Sequence, residues 1–231
     1  MVKPLLEIAC FKAEDVLPAV TAGADRIEYC ADYRLGGLTP ALPGFEAIRN
    51  ATNIPIYVMI RCRGGNFVYS NAELRQMAQQ LQEFKSAGAD GFVFGALLPH
   101  HRVDLFAIEK LAHAAGPLPW TFHRAFDLID DAITTLDLLP DFGCRQVLSS
   151  GGAQTAILGQ SKLYDLAAHA AHRLRILAGG GIRSHNLNAL LGNNCPFDIH
   201  SAALNLQGVI ALDEIAQLAA RIKKSHTGAQ S

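Results

Sequence analysis

Eight short runs of β-branched and other apolar residues recur along this chain, and segments with helical spacing fill the intervals. That alternation limits the fold more than any other feature. The strand candidates are Leu5–Cys10, Arg26–Cys30, Ile56–Arg61, Gly91–Gly95, Pro119–His123, Gln146–Ser149, Arg175–Ala178 and Phe197–Ser201. Most are continuous apolar runs, as expected of parallel strands buried on both faces. Eight strand–helix units of about 29 residues use up nearly the whole chain. No Gly-x-Gly-x-x-Gly turn follows the first strand, and eight units suit closure better than an open doubly wound sheet. The expected fold is α/β: a (β/α)8 TIM barrel, one domain over residues 1–231, with 226–231 a frayed polar tail.

The intervals carry helix signals. Val16, Leu17 and Val20 form one apolar face, and Leu74, Met77, Ala78, Leu81 and Phe84 form another. Ser70 and Glu73 read as a capping box in front of the latter. Leu212, Ile215, Ala216, Ala219 and Ile222 give a final helix. Gly23-Ala24-Asp25 and Gly88-Ala89-Asp90 each stand between a helix and a strand, where glycine suits a helix C-cap.

Charge and cysteine usage exclude several classes of function. Twenty basic and 21 acidic side chains nearly cancel, so no basic field exists to attract nucleic acid or an anionic membrane. No apolar stretch reaches the roughly 18–20 residues of a membrane span. The start, Met1-Val2-Lys3-Pro4, lacks the pattern of a secretory signal. The five cysteines (Cys10, Cys30, Cys62, Cys144, Cys195) are odd in number and widely spaced. They read as reduced thiols of a cytoplasmic protein rather than a disulfide framework.

Active sites of such barrels lie at the C-terminal ends of the strands, and this chain's informative polar residues collect there. Strands 1 and 2 carry Glu7 and Glu28, which are costly to bury without partners. Arg61, Arg63, His123 and Arg124 are the available partners. The cluster, with Asp127, is either a structural ion-pair layer or a catalytic site. His123 and His200 end strands at the same rim and could each act as a general base or metal ligand. Gly151 and Gly152 after strand 6, and Gly180 and Gly181 after strand 7, are either tight turns or an anion cradle completed by Ser201. No Walker motif or nucleophile elbow is present. Cys144 and Cys195 precede strands 6 and 8, at the opposite face. Cys10, Cys30 and Cys62 lie at the functional rim and are either soft-metal ligands or small buried apolar groups. Cys10 has the opposite strand parity to Glu7, so the chain must bend for both to face the mouth.

The residues also carry a resemblance. Leu6-Glu7-Ile8, Gly23-Ala24-Asp25-Arg26-Ile27-Glu28 with Cys30, Gly36-Gly37-Leu38-Thr39-Pro40, Met59-Ile60-Arg61, Arg63-Gly64-Gly65, Tyr69-Ser70, Thr121-Phe122-His123-Arg124-Ala125-Phe126-Asp127, Ser150-Gly151 and His200-Ser201 together resemble the CutC family, described as copper homeostasis proteins. The resemblance implies a (β/α)8 barrel, a cytoplasmic location, homo-oligomers such as a dimer, and Cu(I) binding through cysteines near the ends of strands 1 and 2. Cys30 sits on the matching motif. Ala9 stands where the family often has a cysteine. Arg61-Cys62-Arg63 replaces the usual Arg-Pro-Arg, and Asn66 replaces a usual aspartate. After His200-Ser201 the segment before the last helix is shorter than in many members. Two functions therefore compete. One is copper handling through Cys30 with Cys10 or Cys62. The other is an enzyme whose arginines hold a small anionic or phosphorylated substrate while a carboxylate or histidine moves a proton.

Overall fold

The computed structural model describes residues 3–170, 173–192 and 195–228. Its eight barrel strands are β1 (Leu6–Cys10), β2 (Arg26–Tyr29), β3 (Ile56–Met59), β4 (Gly91–Phe94), β5 (Trp120–Phe122), β6 (Cys144–Ser149), β7 (Arg175–Ala178) and β8 (Asp198–Ser201). Each pairs in parallel with the next, and β8 closes on β1. The expected closed barrel is therefore the observed one. The helices are α1 (Val16–Thr21), α2 (Leu42–Ala51), α3 (Asn71–Ser86), α4 (Leu105–Ala115), α5 (Ala132–Leu138), α6 (Gln160–Ala170), α7 (Ser184–Leu191) and α8 (Leu212–Gly228). A short antiparallel ribbon, Leu97–Leu98 with Arg102–Val103, follows β4. Its two-residue arms are too short to leave a pattern in the sequence.

Strand parity explains the layers. Leu6, Ile8 and Cys10 of β1 point outward into the main core with Ile27 and Tyr29 of β2 and Ile56 and Val58 of β3. The helices cover this layer with apolar stripes. In α3 the stripe is Leu74, Met77, Leu81 and Phe84, and Phe84 meets Phe45 of α2 edge-on at 5.4 Å. The helix begins with the expected capping box. Gly23 and Gly88 adopt left-handed φ angles of 112° and 93°. In each case the next amide reaches back to seal the helix end: Ala24 donates to the Ala19 carbonyl and Ala89 to that of Phe84.

Two helix faces differ from expectation. Leu17 of α1 is exposed, and α8 buries Ile215, Leu218 and Ile222 while Leu212 and Ala216 face outward. The i, i+3, i+7 stripe won over the neighbouring apolar positions. The expected frayed tail is helical from 226 as far as Gly228. Residues 229–231, like Met1 and Val2, lie outside the described residues. Among the described residues no helix is long and apolar enough to cross a membrane.

The inward parity carries a different population. Glu7, Arg26, Glu28, Tyr57, Thr121, Gln146, Asp198 and His200 take the inner positions of their strands. The barrel axis is thus largely polar. An apolar patch of Ala9, Cys30, Met59 and Val93 sits among them.

Candidate active site

The polar axis is a connected set of bonds. Glu7 is fully buried, and Arg26, its register partner on β2, donates from Nε to Glu7 Oε2 at 2.5 Å. The same guanidinium donates to the Gln146 side-chain carbonyl and stacks over Tyr57 at 4.2 Å. Gln146 Nε2 donates to Asp198 at 2.8 Å, and Arg175 donates to Asp198 at 2.6 Å. Above Glu7, His200 Nδ1 lies 2.8 Å from Oε1. Breaking such a buried pair leaves an uncompensated charge, typically a loss of about 3–5 kcal/mol. Glu7's partners are thus Arg26 and His200, not the rim arginines expected from the sequence.

The two buried glutamates have opposite electrostatics. Burial opposes the Glu7 charge, but Arg26 and His200 outweigh it and hold the carboxyl down at about 2. Glu28 has less help. Among the described residues its only ion-pair contact is His200 Nε2 at 3.8 Å, and its Oε1 has no partner. Burial pushes it up to about 7, with His200 and Arg26 pulling down and Glu7 pushing up. Burial lowers the affinity of His200 for its second proton, but Glu28 and Glu7 together raise it above the usual histidine value. Glu7, His200 and Glu28 lie close enough together to form the outline of a metal triad. Both Glu7 oxygens, however, are already taken by Arg26 and His200, so the cluster reads as an ion-pair relay. Two carboxyls separated in this way divide the work: one stays a fixed charge and one can exchange a proton near neutrality.

Glu28 opens onto a cavity of about 230 Å³ at the C-terminal mouth. Arg61, His123, Arg124, Arg183, Gly180 and Gly181 share its wall, with Phe11, Tyr33, Met59 and Phe67 on the apolar side. Arg61 is buried just beyond β3. Its two terminal nitrogens donate to the carbonyls of Leu35, Gly37 and Gly65, and its plane lies over Phe67 at 4.6 Å. Carbonyls hold the guanidinium without cancelling its charge. Arg183 is fixed similarly by the Ile182 carbonyl and Ser201 Oγ. Among the described residues neither has a carboxylate in ion-pair range.

His123 is buried beside Phe67, with ring centroids 4.7 Å apart. Its Nδ1 accepts from the Ala125 amide at 3.3 Å. An accepting Nδ1 assigns the proton of the neutral ring to Nε2. Burial, with Arg61 adding, pushes the ring's second protonation down to about 3, so it stays neutral at pH 7. Four buried side-chain atoms among the described residues lack a protein partner: Glu28 Oε1, Arg61 Nε, His123 Nε2 and the Tyr69 hydroxyl. The Tyr69 hydroxyl lies against the Arg61 guanidinium, and the other two, Glu28 Oε1 and His123 Nε2, belong to residues that line this one cavity with Arg61. Buried polar atoms without partners are rare and costly in folded proteins, so their concentration marks a place built for a ligand.

Several expected site residues have other work. Arg63 bonds Glu73, the Asn66 side chain and the Asn66 and Val68 carbonyls. It organises the turn before α3 and does not line the cavity. Asp127 is held in a short 3-10 helix, Arg124–Leu128. Its carboxylate accepts from Ser149 Oγ, Ser150 N and Oγ, Gly152 N and Arg124 Nε. The loop after β6 does cradle an anion, but that anion is Asp127 itself, and the Gly151 amide is turned onto Ser149 Oγ. Gly151 and Gly152 are therefore not a free anion site. Ser201 donates to the Ile182 carbonyl and accepts from Arg183, so it positions an arginine. Of the expected cradle, Gly180, Gly181 and Ser201 line the mouth. The sequence points to His200 but assigns no role to Arg26 or Arg183. Arg26 shares the inward parity of Glu28, the one signal that could have found it.

The thiols do not converge. β1 runs without a bend, so Cys10 packs outward in the main core. Cys30 packs inward with Ala9, Met59 and Val93 and donates to the Cys10 carbonyl at 3.6 Å. Cys62 is half-buried against the outer core. Burial raises all three thiols above their usual range, with neighbouring carboxylates adding. A thiolate ligand set wants the reverse environment, and the three do not fit one soft-metal centre.

The comparisons agree with the fold and the resemblance. The CutC family model matches residues 4–205. This chain belongs to the CutC family. A CutC family protein of Pasteurella multocida (strain Pm70) is 41% identical over 195 residues, covering 84% of this chain and 80% of that protein. The crystal structure of a CutC from Streptococcus agalactiae, which bears a copper-homeostasis name, is 30% identical with a TM-score of 0.81, covering 86% of this chain and 98% of that one. A phosphoribosylanthranilate isomerase from Thermotoga maritima matches with a TM-score of 0.61 at 11% identity, covering 96% of this chain and 98% of that one. At that identity the likeness is one of fold alone.

Proposed function

We propose that this CutC protein is an enzyme that binds a small anionic molecule in the barrel mouth and moves a proton on it through Glu28. The observation that carries the reading is the pair of partnerless buried atoms, Glu28 Oε1 and His123 Nε2, on one cavity that Arg61 and Arg183 also line. The charges support it. Arg61 and Arg183 bring positive charge that no carboxylate cancels, while Glu28 titrates near neutrality, the condition for general acid–base work. Glu7, Arg26 and His200 act beneath it as positioning residues. A cavity of about 230 Å³ suits a metabolite of a few carbons and one anionic group. Nothing in this chemistry calls for a thiol. The copper role suggested by the S. agalactiae relative's name would have to use Cys30 alone or with a ligand from elsewhere. The cytoplasmic location and homodimer implied by the family go with the proposal as its setting.

Calorimetric titration with inorganic phosphate tests it. The native chain should bind phosphate, Arg183→Ala should weaken binding by about tenfold or more, the loss of roughly 1.4 kcal/mol that one charge-assisted contact carries, and Arg63→Ala should leave it unchanged. Equal affinity in Arg183→Ala and the native chain would overturn the proposal.

A further inference from the structure

The partnerless atoms differ in kind, and the difference narrows the reaction. Glu28 contributes a carboxyl oxygen that can take or give a proton. Arg61 and His123 contribute N–H groups that can only donate: a guanidinium has no acceptor, and the Ala125 amide already occupies His123 Nδ1. Both donors are buried, 5% and 3% exposed, and both flank the Phe67 ring. A fixed neutral donor and a fixed positive charge sharing one cavity with a proton acceptor would recognise an oxygen on which negative charge grows while a proton leaves a neighbouring atom.

We infer that the substrate is a small carbonyl compound carrying a phosphate or carboxylate, and that Glu28 removes a proton from the carbon next to its carbonyl while Arg61 and His123 hold the oxygen. This inference rests on the anion-binding, proton-moving reading above and specifies its reaction. The electrons balance without a further reagent. The Glu28 carboxylate takes the proton, the C–H pair becomes a carbon–carbon π bond, and the carbonyl π pair moves onto oxygen. The enolate oxygen accepts from His123 Nε2–H, with the positive Arg61 guanidinium beside it. If the carbon bears a hydroxyl, Glu28 can return its proton to the former carbonyl carbon while the hydroxyl proton passes to the enolate oxygen, which interconverts aldose and ketose. Arg183, Arg124 and the Gly180–Gly181 turn remain for the anionic group.

The neutrality of His123 matters here. A neutral imidazole donor, close in acidity to the enol it faces, stabilises the enolate without protonating it outright, and burial beside Arg61 keeps this ring neutral across the physiological range. Its position is also closely fixed. Gly95 has no side chain where a Cβ would come within 2.8 Å of the His123 ring, so the ring packs directly on the backbone just beyond β4. A larger residue at 95 would displace it.

The test compares two probes on the full chain by calorimetry: inorganic phosphate, and phosphoglycolohydroxamate, a stable mimic of an enediolate bearing a phosphate. The native chain should bind the hydroxamate about 100-fold or more tighter than phosphate, as enzymes bind intermediate analogues over ground-state ligands. His123→Phe keeps a ring but no donor; it should lose most of that advantage while retaining phosphate affinity. Phosphate binding with no advantage for the hydroxamate overturns this inference and leaves the anion site standing. So does a hydroxamate advantage that survives in a folded His123→Phe chain. Binding of neither probe overturns both readings. The native comparison decides the matter even if the variant does not fold.

Discussion

Replacing Glu28 with glutamine should stabilise the protein at high pH and do little at low pH. The folded carboxyl keeps its proton up to about pH 7, whereas an unfolded one releases it near 4.5. Between those values the folded state binds the extra proton, so this group makes stability fall as pH rises through the window. At about 1.4 kcal/mol per pH unit, the displacement amounts to roughly 3 kcal/mol once Glu28 is fully ionised. Burial is the dominant cause, and glutamine has nearly the same volume with no charge to bury. At pH 5 the native side chain is already neutral, and the two proteins should agree within about 1 kcal/mol, the scale of one altered hydrogen bond. At pH 9 Glu28→Gln should be more stable by about 2–3 kcal/mol. Urea denaturation at the two pH values, followed by circular dichroism, measures both. A stability difference that does not change between pH 5 and pH 9 would refute the reasoning, because it would mean that Glu28 ionises normally in the folded protein.

Three other outcomes are expected. Asp127→Ala should cost about 2–4 kcal/mol in urea denaturation, because it strands the buried Ser149 hydroxyl and Ser150 amide in the loop after β6; a loss below about 0.5 kcal/mol, the range of ordinary surface changes, would contradict that assignment. Cys10, Cys30 and Cys144 are buried, so an aromatic disulfide reagent should modify them only as the protein unfolds, and a coloured Cu(I) chelator should keep its copper against the reduced native chain. Tight copper capture lost in Cys30→Ser would restore the copper role.

The fold was legible because parallel strands buried on both faces are written as plain apolar runs. Each expected strand overlaps an observed one, with the ends misplaced by one or two residues where a run continues past the ladder, as at Arg61 beyond Met59. The outward turn of Cys10 was also readable, since two-residue periodicity places it opposite Glu7. The site was read less completely. Arg26 begins its strand, where an arginine looks like a rim charge, yet its inward parity carries it to Glu7. Arg63 and Asp127 stand in the same motifs as Arg61 and His123, and sequence proximity cannot separate a residue that builds a loop from one that lines a cavity. The partner of the glycine loop, an aspartate some two dozen residues earlier, is set by the packing of β5 beside β6 and has no local signature. Four neighbouring polar residues thus looked alike in sequence and divided in space: carbonyls meet Arg61, a carboxylate meets Arg63, amides and hydroxyls meet Asp127, and His123 Nε2 has no partner among the described residues.

The most direct measurement is the titration of Glu28 itself. Glutamate side-chain carboxyl carbons labelled with carbon-13 can be followed by NMR from pH 4 to pH 9 in the native chain and in Glu28→Gln, with and without inorganic phosphate. One resonance, absent from the variant, should titrate with a midpoint near 7, and phosphate should move that midpoint upward, because an anion held by Arg183 and Arg124 in the same cavity disfavours a second negative charge beside it. A Glu28 midpoint in the ordinary carboxylate range, or one that phosphate leaves unmoved, would contradict the account.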